Sequence, residues 1–584
     1  MLNSPVDDAP FSGPSSRLME CSGKCHVPTF RARILKRICD LEEDIAELRN
    51  CFNAVSPAHR LPVELLMTVF SFVSRFATGS EMLGVSHVCK RWRTIALDCP
   101  HLWAELRGSC LATKEVTQSM LEKSREVPLT LSCGTRPTEH PSHSGALSIA
   151  LSQISRLKSV TLCNTIYADG DTVDLPNVLS GWRRAHAPIL EILCIINIVD
   201  DDYYSSGFGP PSWEKLQEFQ LEGLLESGAP ALRHLTLSHL GISWSSLPLG
   251  ASLVELRLLE EPSFEGNFRP VIPTFIKSLE QMPLLETLEL HGFLPAEQGS
   301  AHSGRVHAFP PALKTLKVAD SSGVLAQFFQ FARVADHVSI FVTFLQEEID
   351  DEAVGLVLGC IKSSFSQKRA TTGVQRLTER DMSTCFDLYF NDTELPANIQ
   401  ALGGCMGQLS IECGTEPTPH MEAHDYYAAI TNHFDLSTLR SLKYSWSELD
   451  CHQDIAWSYL RNIRRLETIT FSQSQFSPFL NHWKLDPLLS STGDVQSVKM
   501  CYFPAVATIN CVSSRFLGYD GPIHQGCLTS LVRVLKARLR LGCPPLTLSL
   551  DENQVGEEGA RYLQESVPGL VVHRLAPGPA SPFE

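Results

Sequence analysis

The sequence predicts an α + α/β chain, with a small all-helical part at its N-terminal end followed by a long α/β solenoid. Three observations carry that class. Apolar residues recur at helical spacing between Ile34 and Ala96. A six-residue pattern, L-x-x-L-x-L, then returns again and again from Leu157 to Met500. The chain of 584 residues is long for one compact domain unless it is built of repeats.

Composition narrows the function. Hydrophobic residues make up 43% and charged residues 20%, which is ample material for a core. Lys plus Arg is 49 against 65 Asp plus Glu, a net charge of −16. An acidic chain repels a phosphate backbone, and Lys90-Arg91-Trp92-Arg93 is too short a basic patch to reverse that, so no nucleic-acid partner is expected. Met1 to Pro28 lack the apolar core of a secretory signal, and no stretch approaches 18 consecutive apolar residues, so no membrane span is expected. The 19 cysteines are odd in number and scattered, many in apolar runs such as Cys89, Cys163 and Cys194. They read as reduced thiols acting as small hydrophobes, in a cytoplasmic or nuclear protein.

Residues 1–29 read as disordered. Ile34, Ile38, Leu41, Ile45 and Leu48 then alternate steps of four and three, the a/d seam of a heptad helix over 30–55, with Glu42, Glu43, Asp44, Glu47 and Arg49 on the wet faces. Two to three heptads leave two readings open: weak self-association through residues 30–52, or an amphipathic helix folded back on the next module. Pro57 closes the element.

The next module spans 56–107. Pro62 suits the first turn of a helix. Leu65, Leu66, Val69, Phe70 and Val73 follow as one broad apolar stripe, which Gly79-Ser80 breaks. A second stripe runs Val85, Val88, Trp92, Ile95 and Ala96, ending before Pro100, and Leu102-Trp103 fold over the end of the pair. Helices of this size bury little alone, so part of the apolar surface is expected to face a partner.

Leu61-Pro62-x-Glu64-Leu65, Val69-Phe70, Val88-Cys89-x-x-Trp92 and Leu102-Trp103 together resemble the F-box. The preceding heptad helix, Ser56-Pro57-x-His59-Arg60-Leu61-Pro62 and Ser86-His87-Val88-Cys89 make the chain similar to the F-box-like proteins abundant in mushroom-forming fungi. The resemblance covers residues 31–107 and departs at Glu81-Met82-Leu83, which follow an extended linker. It implies docking onto a Skp-type adaptor and, through it, a cullin-RING ubiquitin ligase. The adaptor-facing set it implies is Leu61, Pro62, Leu65, Leu66, Val69, Phe70, Val88, Cys89 and Trp92. Each has a core-packing reading as well; Trp92 could simply join the two helices.

Residues 108–574 carry the repeats. Copies are Leu157-Val160-Leu162, Leu190-Leu193-Ile195, Leu232-Leu235-Leu237, Leu253-Leu256-Leu258, Leu285-Leu288-Leu290 and Leu313-Leu316-Val318. The pattern returns at Leu439-Leu442-Tyr444, Leu466-Ile469-Phe471 and Val495-Val498-Met500. Neighbouring copies of the first set are spaced from 21 residues (Leu232 to Leu253) to 42 (Leu190 to Leu232). That is an irregular, insertion-laden version of a leucine-rich repeat. It is weakest at 335–435, where Val338-Ser339-Ile340-Phe341-Val342 and Gln408-Leu409-Ser410-Ile411 read as divergent strands. Inward leucines on short parallel strands would stack into a continuous core. The alternating residues would form a concave face, polar and mixed in charge: Ser159, Thr161, Thr315, Ser441, Thr468 and Thr470, with His234, Thr236, Glu255, Arg257, Thr287, Glu289, Lys317 and Lys443 as candidate target contacts. Solvated strand faces are polar in any case. Residues 575–584 read as a flexible tail.

Chemistry finds no foothold. Cys21-x-x-x-Cys25-His26 lacks a fourth metal ligand, and no phosphate-binding glycine loop, nucleophile elbow or H-E-x-x-H occurs in a supporting context. No catalytic residue, metal or cofactor is expected. The reading is a substrate-recognition adaptor that holds an unknown protein target on the repeats and brings it to ligase partners. A scaffold without ligase association is the alternative, and an enzyme would need its chemistry in 335–435.

Overall fold

The computed structural model describes residues 27–76, 84–134, 143–166, 175–199, 221–260 except 222, 269–295, 307–345, 351–365, 373–380, 385–390, 408–413, 423–444, 502–512, 525–551, 555 and 557–575, with short runs between 457 and 483. Cys21, Cys25, His26, Glu81-Met82-Leu83, the Val495 copy and the C-terminal tail beyond Leu575 lie outside the described residues, Leu575 itself ending a strand. The chain forms two compact units, Met1–Leu157 and Lys158–Glu584.

The first unit opens with α1 (Val27–Ala54), in which no residue is buried. A 3-10 turn at Ala58–Arg60 leads to α2 (Val63–Phe76), with Pro62 just before it. A helical turn at 84–87 and α3 (Lys90–Leu97) follow, then a 3-10 turn at Pro100–Trp103. Cys89 caps α3: its extended backbone turns the Sγ toward the Trp92 amide, which donates to it at 3.4 Å. The unit continues through β1 (Glu105–Arg107), α4 (Lys114–Ser124), β2 (Leu129–Gly134) and α5 (His143–Leu151), with β1 parallel to β2 and α4 packed on α5. The Arg156 guanidinium ties the end of α4 down, donating to Ser124 Oγ at 2.9 Å and to the Val127 carbonyl at 3.1 Å.

The second unit is a large, mostly parallel sheet with helices between many strands. Its strands are β3 (Leu157–Ile166), β4 (Ile192–Val199), β5 (His234–Ser238), β6 (Glu255–Leu259), β7 (Thr287–His291), β8 (His307–Ala308), β9 (Thr315–Asp320), β10 (Ala332–Arg333), β11 (Ser339–Phe344), β12 (Arg376–Arg380), β13 (Cys385–Tyr389), β14 (Gln408–Cys413), β15 (Ser441–Tyr444), β16 (Thr468–Ser472), β17 (Thr508–Val512), β18 (Thr547–Asp551) and β19 (Val571–Leu575). β8 and β10 form a separate two-stranded pair. The helices of this unit are α6 (Leu175–Leu179), α7 (Ile272–Glu280), α8 (Ser322–Phe331), α9 (Asp351–Ser364), α10 (Ala423–His433), α11 (Gln525–Arg540) and α12 (Glu557–Ser566).

Register explains why the leucines recur. Val160, Leu193, Leu235, Leu256, Leu288, Leu316, Ile340 and Leu409 stand side by side from β3 to β14, each the Cα partner of the next. The row continues through Leu388, Leu377, Leu442, Ile469, Ile509 and Leu548. Every one of these side chains is buried. So are Leu190, Leu232, Leu253, Leu285 and Leu313, the first leucines of the copies, which sit just ahead of their strands.

Both divergent segments of 335–435 are strands, β11 and β14, and they are direct parallel neighbours. The irregularity is one of order. The spatial sequence is β11-β14-β13-β12-β15, and β13 alone runs against its two neighbours. Behind it α9 and α10 meet where Gly359 leaves room for His433; a Cβ there would come within 3.1 Å of the His433 ring. Desolvation and the nearby Lys362 charge push the His433 pKa down.

An aromatic cluster of Tyr444, Trp457, Phe471, Phe479, Trp483 and Phe503 fills the C-terminal part of the core. Arg538 of α11 is buried against it. Its guanidinium donates to the carbonyls of Tyr502, Phe503 and Val506 at 3.0, 2.9 and 3.3 Å and lies 4.6 Å from the Trp483 ring centroid. Removing it takes a donor from three carbonyls: Val506 and Tyr502 lose their guanidinium bond, and Phe503 keeps only the Val506 amide, at 3.3 Å. Arg538→Met is expected to cost about 2–4 kcal/mol, read as a lower denaturation midpoint followed by tryptophan fluorescence; an unchanged midpoint would show the three bonds contribute nothing net.

Candidate functional site

Two surfaces carry the residues singled out by sequence. The first is the helical module. Its sequence shows one broad apolar stripe on α2, and the structure divides that stripe into two faces. Leu66 and Phe70, one turn apart, are 1% and 0% exposed. They belong to a core with Val85, Ile95, Ala96, Cys99, Leu102 and Trp103. Leu65, Val69 and Phe72 repeat at steps of four and three on the other face and are 53%, 44% and 54% exposed. Val63 and Val88 are also exposed.

The expected adaptor-facing set is therefore two populations. Leu66 and Phe70 are corrected to core positions, because the helix can turn only one flank of so wide a stripe inward. Pro62, Leu65, Val69 and Val88 are exposed, while Leu61, Cys89 and Trp92 are half-buried. Trp92 joins the two helices, its ring 5.1 Å from Phe70 between centroids. Trp103 closes the module by donating its indole N–H to the Ala96 carbonyl at 2.7 Å, with Lys123 Nζ 4.4 Å above its ring. The basic run is structural: Arg91 donates to the Leu61 carbonyl at 2.8 Å and Arg93 to the Ser86 carbonyl at 2.9 Å. Phe72 and Val63 were missed from sequence. The step from Val69 to Phe72 was the available signal.

The second surface is the strand row between the buried ladders. Thr161, Cys194, Thr236, Arg257, Glu289 and Lys317 are mutual register partners on β3 to β9. In the adjacent row His234, Glu255, Thr287 and Thr315 are partners likewise. The charges among them pair with one another. His234 Nδ1 lies 3.0 Å from Glu255 Oε2, Arg257 contacts Glu255, and Arg257 and Lys317 flank Glu289 at 3.5 and 3.6 Å. Lys443, on β15 beside Thr378 and Thr470, stands apart from this group. Burial pushes the Cys194 thiol up to about 11 and raises Cys163 as well.

Sequence reasoning missed two parts of this surface. His291, one alternation beyond Glu289, contacts it at 3.4 Å. At the carboxyl ends of the strands, buried Glu260 accepts from the amides of Leu240 and Gly241 at 3.2 and 3.0 Å. Asn164 donates to Asn197 at 3.1 Å, and Asn197 in turn donates to the His239 carbonyl at 2.8 Å. No group of three or more His, Cys, Asp or Glu suited to a metal occurs among the described residues, and none of their helices is long and apolar enough to cross a membrane.

Residues 58–108 match the family described as F-box-like, and they form an F-box-like domain. Among solved structures the chain is similar to one in the crystal structure of a Rad7 and Elc1 complex in yeast, with 11% identity, 86% of this chain and 97% of that one covered, and a TM-score of 0.24. A likeness that slight speaks for neither fold nor function. No curated protein matched the chain.

Glu289 makes the strand surface sensitive to acid. Burial works to raise its carboxyl, but the hydrogen bond with His291 and the charges of Lys317, His291 and Arg257 outweigh it and hold the group below its ordinary 4.5. A folded-state pKa below the unfolded one stabilises the fold above the unfolded value, and that stability is lost as pH falls through the folded one. Glu289→Gln is expected to lower the melting midpoint at neutral pH, with the gap from wild type closing as pH drops below 4.5. A gap that does not change with pH would remove the carboxylate from the account.

Proposed function

We propose that this chain is the substrate-recognition adaptor of a Skp-cullin-F-box type ubiquitin ligase, acting in the cytoplasm or nucleus. The observation that carries the reading is the second face of α2. Leu65, Val69 and Phe72 form an apolar row on a domain whose own core is already closed by Leu66, Phe70 and Trp103. Large apolar side chains exposed on a helix are the anchors protein interfaces use. A Skp-type adaptor is the partner that the F-box-like family of residues 58–108 supports.

The repeats of the second unit supply the other hand of the bridge. We read them as a leucine-rich-repeat-like solenoid whose strand face, centred on Arg257, Glu289 and Lys317, holds the target protein. Binding both ends raises the local concentration of target lysines at the conjugating enzyme, so the chain works by proximity and partner subunits perform the transfer.

Co-purification tests the fixed end. Leu65→Asp with Val69→Asp is expected to abolish capture of a Skp-type adaptor while leaving circular dichroism unchanged. Phe70→Ala should instead destabilise the module by about 3–5 kcal/mol, as loss of a buried aromatic does. If the wild-type chain fails to capture the adaptor, the reading falls back to a scaffold without ligase association.

A further inference from the structure

Helix α1 carries an apolar seam that its own chain leaves in solvent. Ile38, Leu41, Ile45, Leu48 and Phe52 are all exposed, Leu48 and Phe52 at 70% and 77%, and no residue of Val27–Ala54 is buried. Of the two sequence readings of this helix, packing back on the next module is therefore not what the structure contains. The seam repeats every seven residues. Counting heptads from it puts Ile38, Ile45 and Phe52 at a, and Ile34, Leu41 and Leu48 at d. β-Branched residues at a with leucine at d favour a parallel pair of strands.

The flanking charges agree. Arg37 and Asp44 fall at g, and Glu42 and Arg49 at e. In a parallel pair each g residue faces the e residue five positions on in the other helix. That sets Arg37 against Glu42 and Asp44 against Arg49, opposite charges at both steps and on both sides of the seam. Phe30 at g and Leu35 at e extend the same contact with apolar groups. The antiparallel pairing that would match Ile38 with Leu48 and Leu41 with Ile45 does the reverse. It places Asp44 beside Asp44 and Glu42 beside Glu42. Of the outward positions, c and f are mostly charged or polar, as at Asp40, Glu47, Glu43 and Asn50, while b carries the small Ala32, Cys39 and Ala46.

We propose that α1 pairs with the α1 of a second copy of this chain as a parallel, in-register, two-stranded coiled coil. The dimer is weak and concentration-dependent, because the seam is only about three heptads long. It joins two F-box-like modules on the same side of the pair, so the assembled receptor is bivalent.

Sedimentation of the full-length chain over a range of concentrations tests this. Wild type is expected to move from the 64.7 kDa monomer to twice that mass as concentration rises. Ile38→Asp with Ile45→Asp should remain monomeric throughout while still capturing a Skp-type adaptor. Orientation is read by charge exchange: Arg37→Glu alone and Glu42→Arg alone should each dimerise at least tenfold more weakly than wild type, and an equimolar mixture of the two should recover the dimer. Three results would overturn the proposal. They are a wild type that stays monomeric to its solubility limit, a dimer indifferent to Ile38 and Ile45, or a mixture that gains nothing over the single variants. Loss of adaptor capture in the Ile38/Ile45 variant, with wild type monomeric, would assign the seam to the adaptor instead.

Discussion

The second unit depends on one constraint: no strand in it can bury its own apolar residues. β15 is four residues long and β5, β6 and β7 are five each. Fixing five residues costs roughly 5–10 kcal/mol of backbone entropy. Burying the two inward leucines of such a strand returns only about 3–6 kcal/mol. The balance turns favourable when Leu256 lies between Leu235 and Leu288, so that one ladder of hydrogen bonds and one apolar row serve two neighbours at once. In-register stacking is thus a condition of folding, and it constrains the pattern of leucines more tightly than the loops between them. Copies 21 and 42 residues apart deliver their leucines to the same row.

That economy decided what could be read from the amino acids alone. Leu232-Leu235-Leu237 and its relatives were legible because spacing within a strand is fixed by the two-residue period of the backbone. Val506-Ile509-Cys511 follows the same rule with a cysteine at its last position, buried all the same. Leu548 and Leu550 alternate without the leading leucine of the other copies. The 335–435 region defeats the pattern for a different reason. Its strands enter the sheet as β14, β13, β12, an order opposite to that of the chain, and sequence periodicity carries no information about spatial order.

The helical module failed and succeeded on finer grounds. The closing role of Leu102 and Trp103 was visible, but the cap at Cys89, which splits the second stripe into a turn at 84–87 and α3, was not. The side each α2 residue takes was not, because leucines at 65 and 66 and apolar residues at 69 and 70 satisfy a helical stripe equally well. The partners of α2 made the choice: Trp92 lies against Phe70, and Phe70 therefore turns inward with Leu66. Once that flank is committed, helix geometry carries Leu65, Val69 and Phe72 outward together.

On the proposed reading of the strand face as the target surface, the sharper question is how a face can be both charged and selective. Arg257 and Lys317 bracket Glu289, and Glu255 lies against both His234 and Arg257, so the charges offset one another although Glu289 Oε2 and Arg257 Nε make no hydrogen bond. A paired ladder attracts no ligand by net charge, and steering at long range is correspondingly weak. What it offers is an unequal exchange on contact. A target surface must replace each internal pair with one at least as good, and a surface with the wrong order of charges leaves a carboxylate or guanidinium desolvated and unpaired, which costs far more than a missed contact. On that reading, selectivity comes from penalty. Glu289 concentrates that penalty, since it is the least exposed carboxylate of the group and serves Arg257, His291 and Lys317 at once.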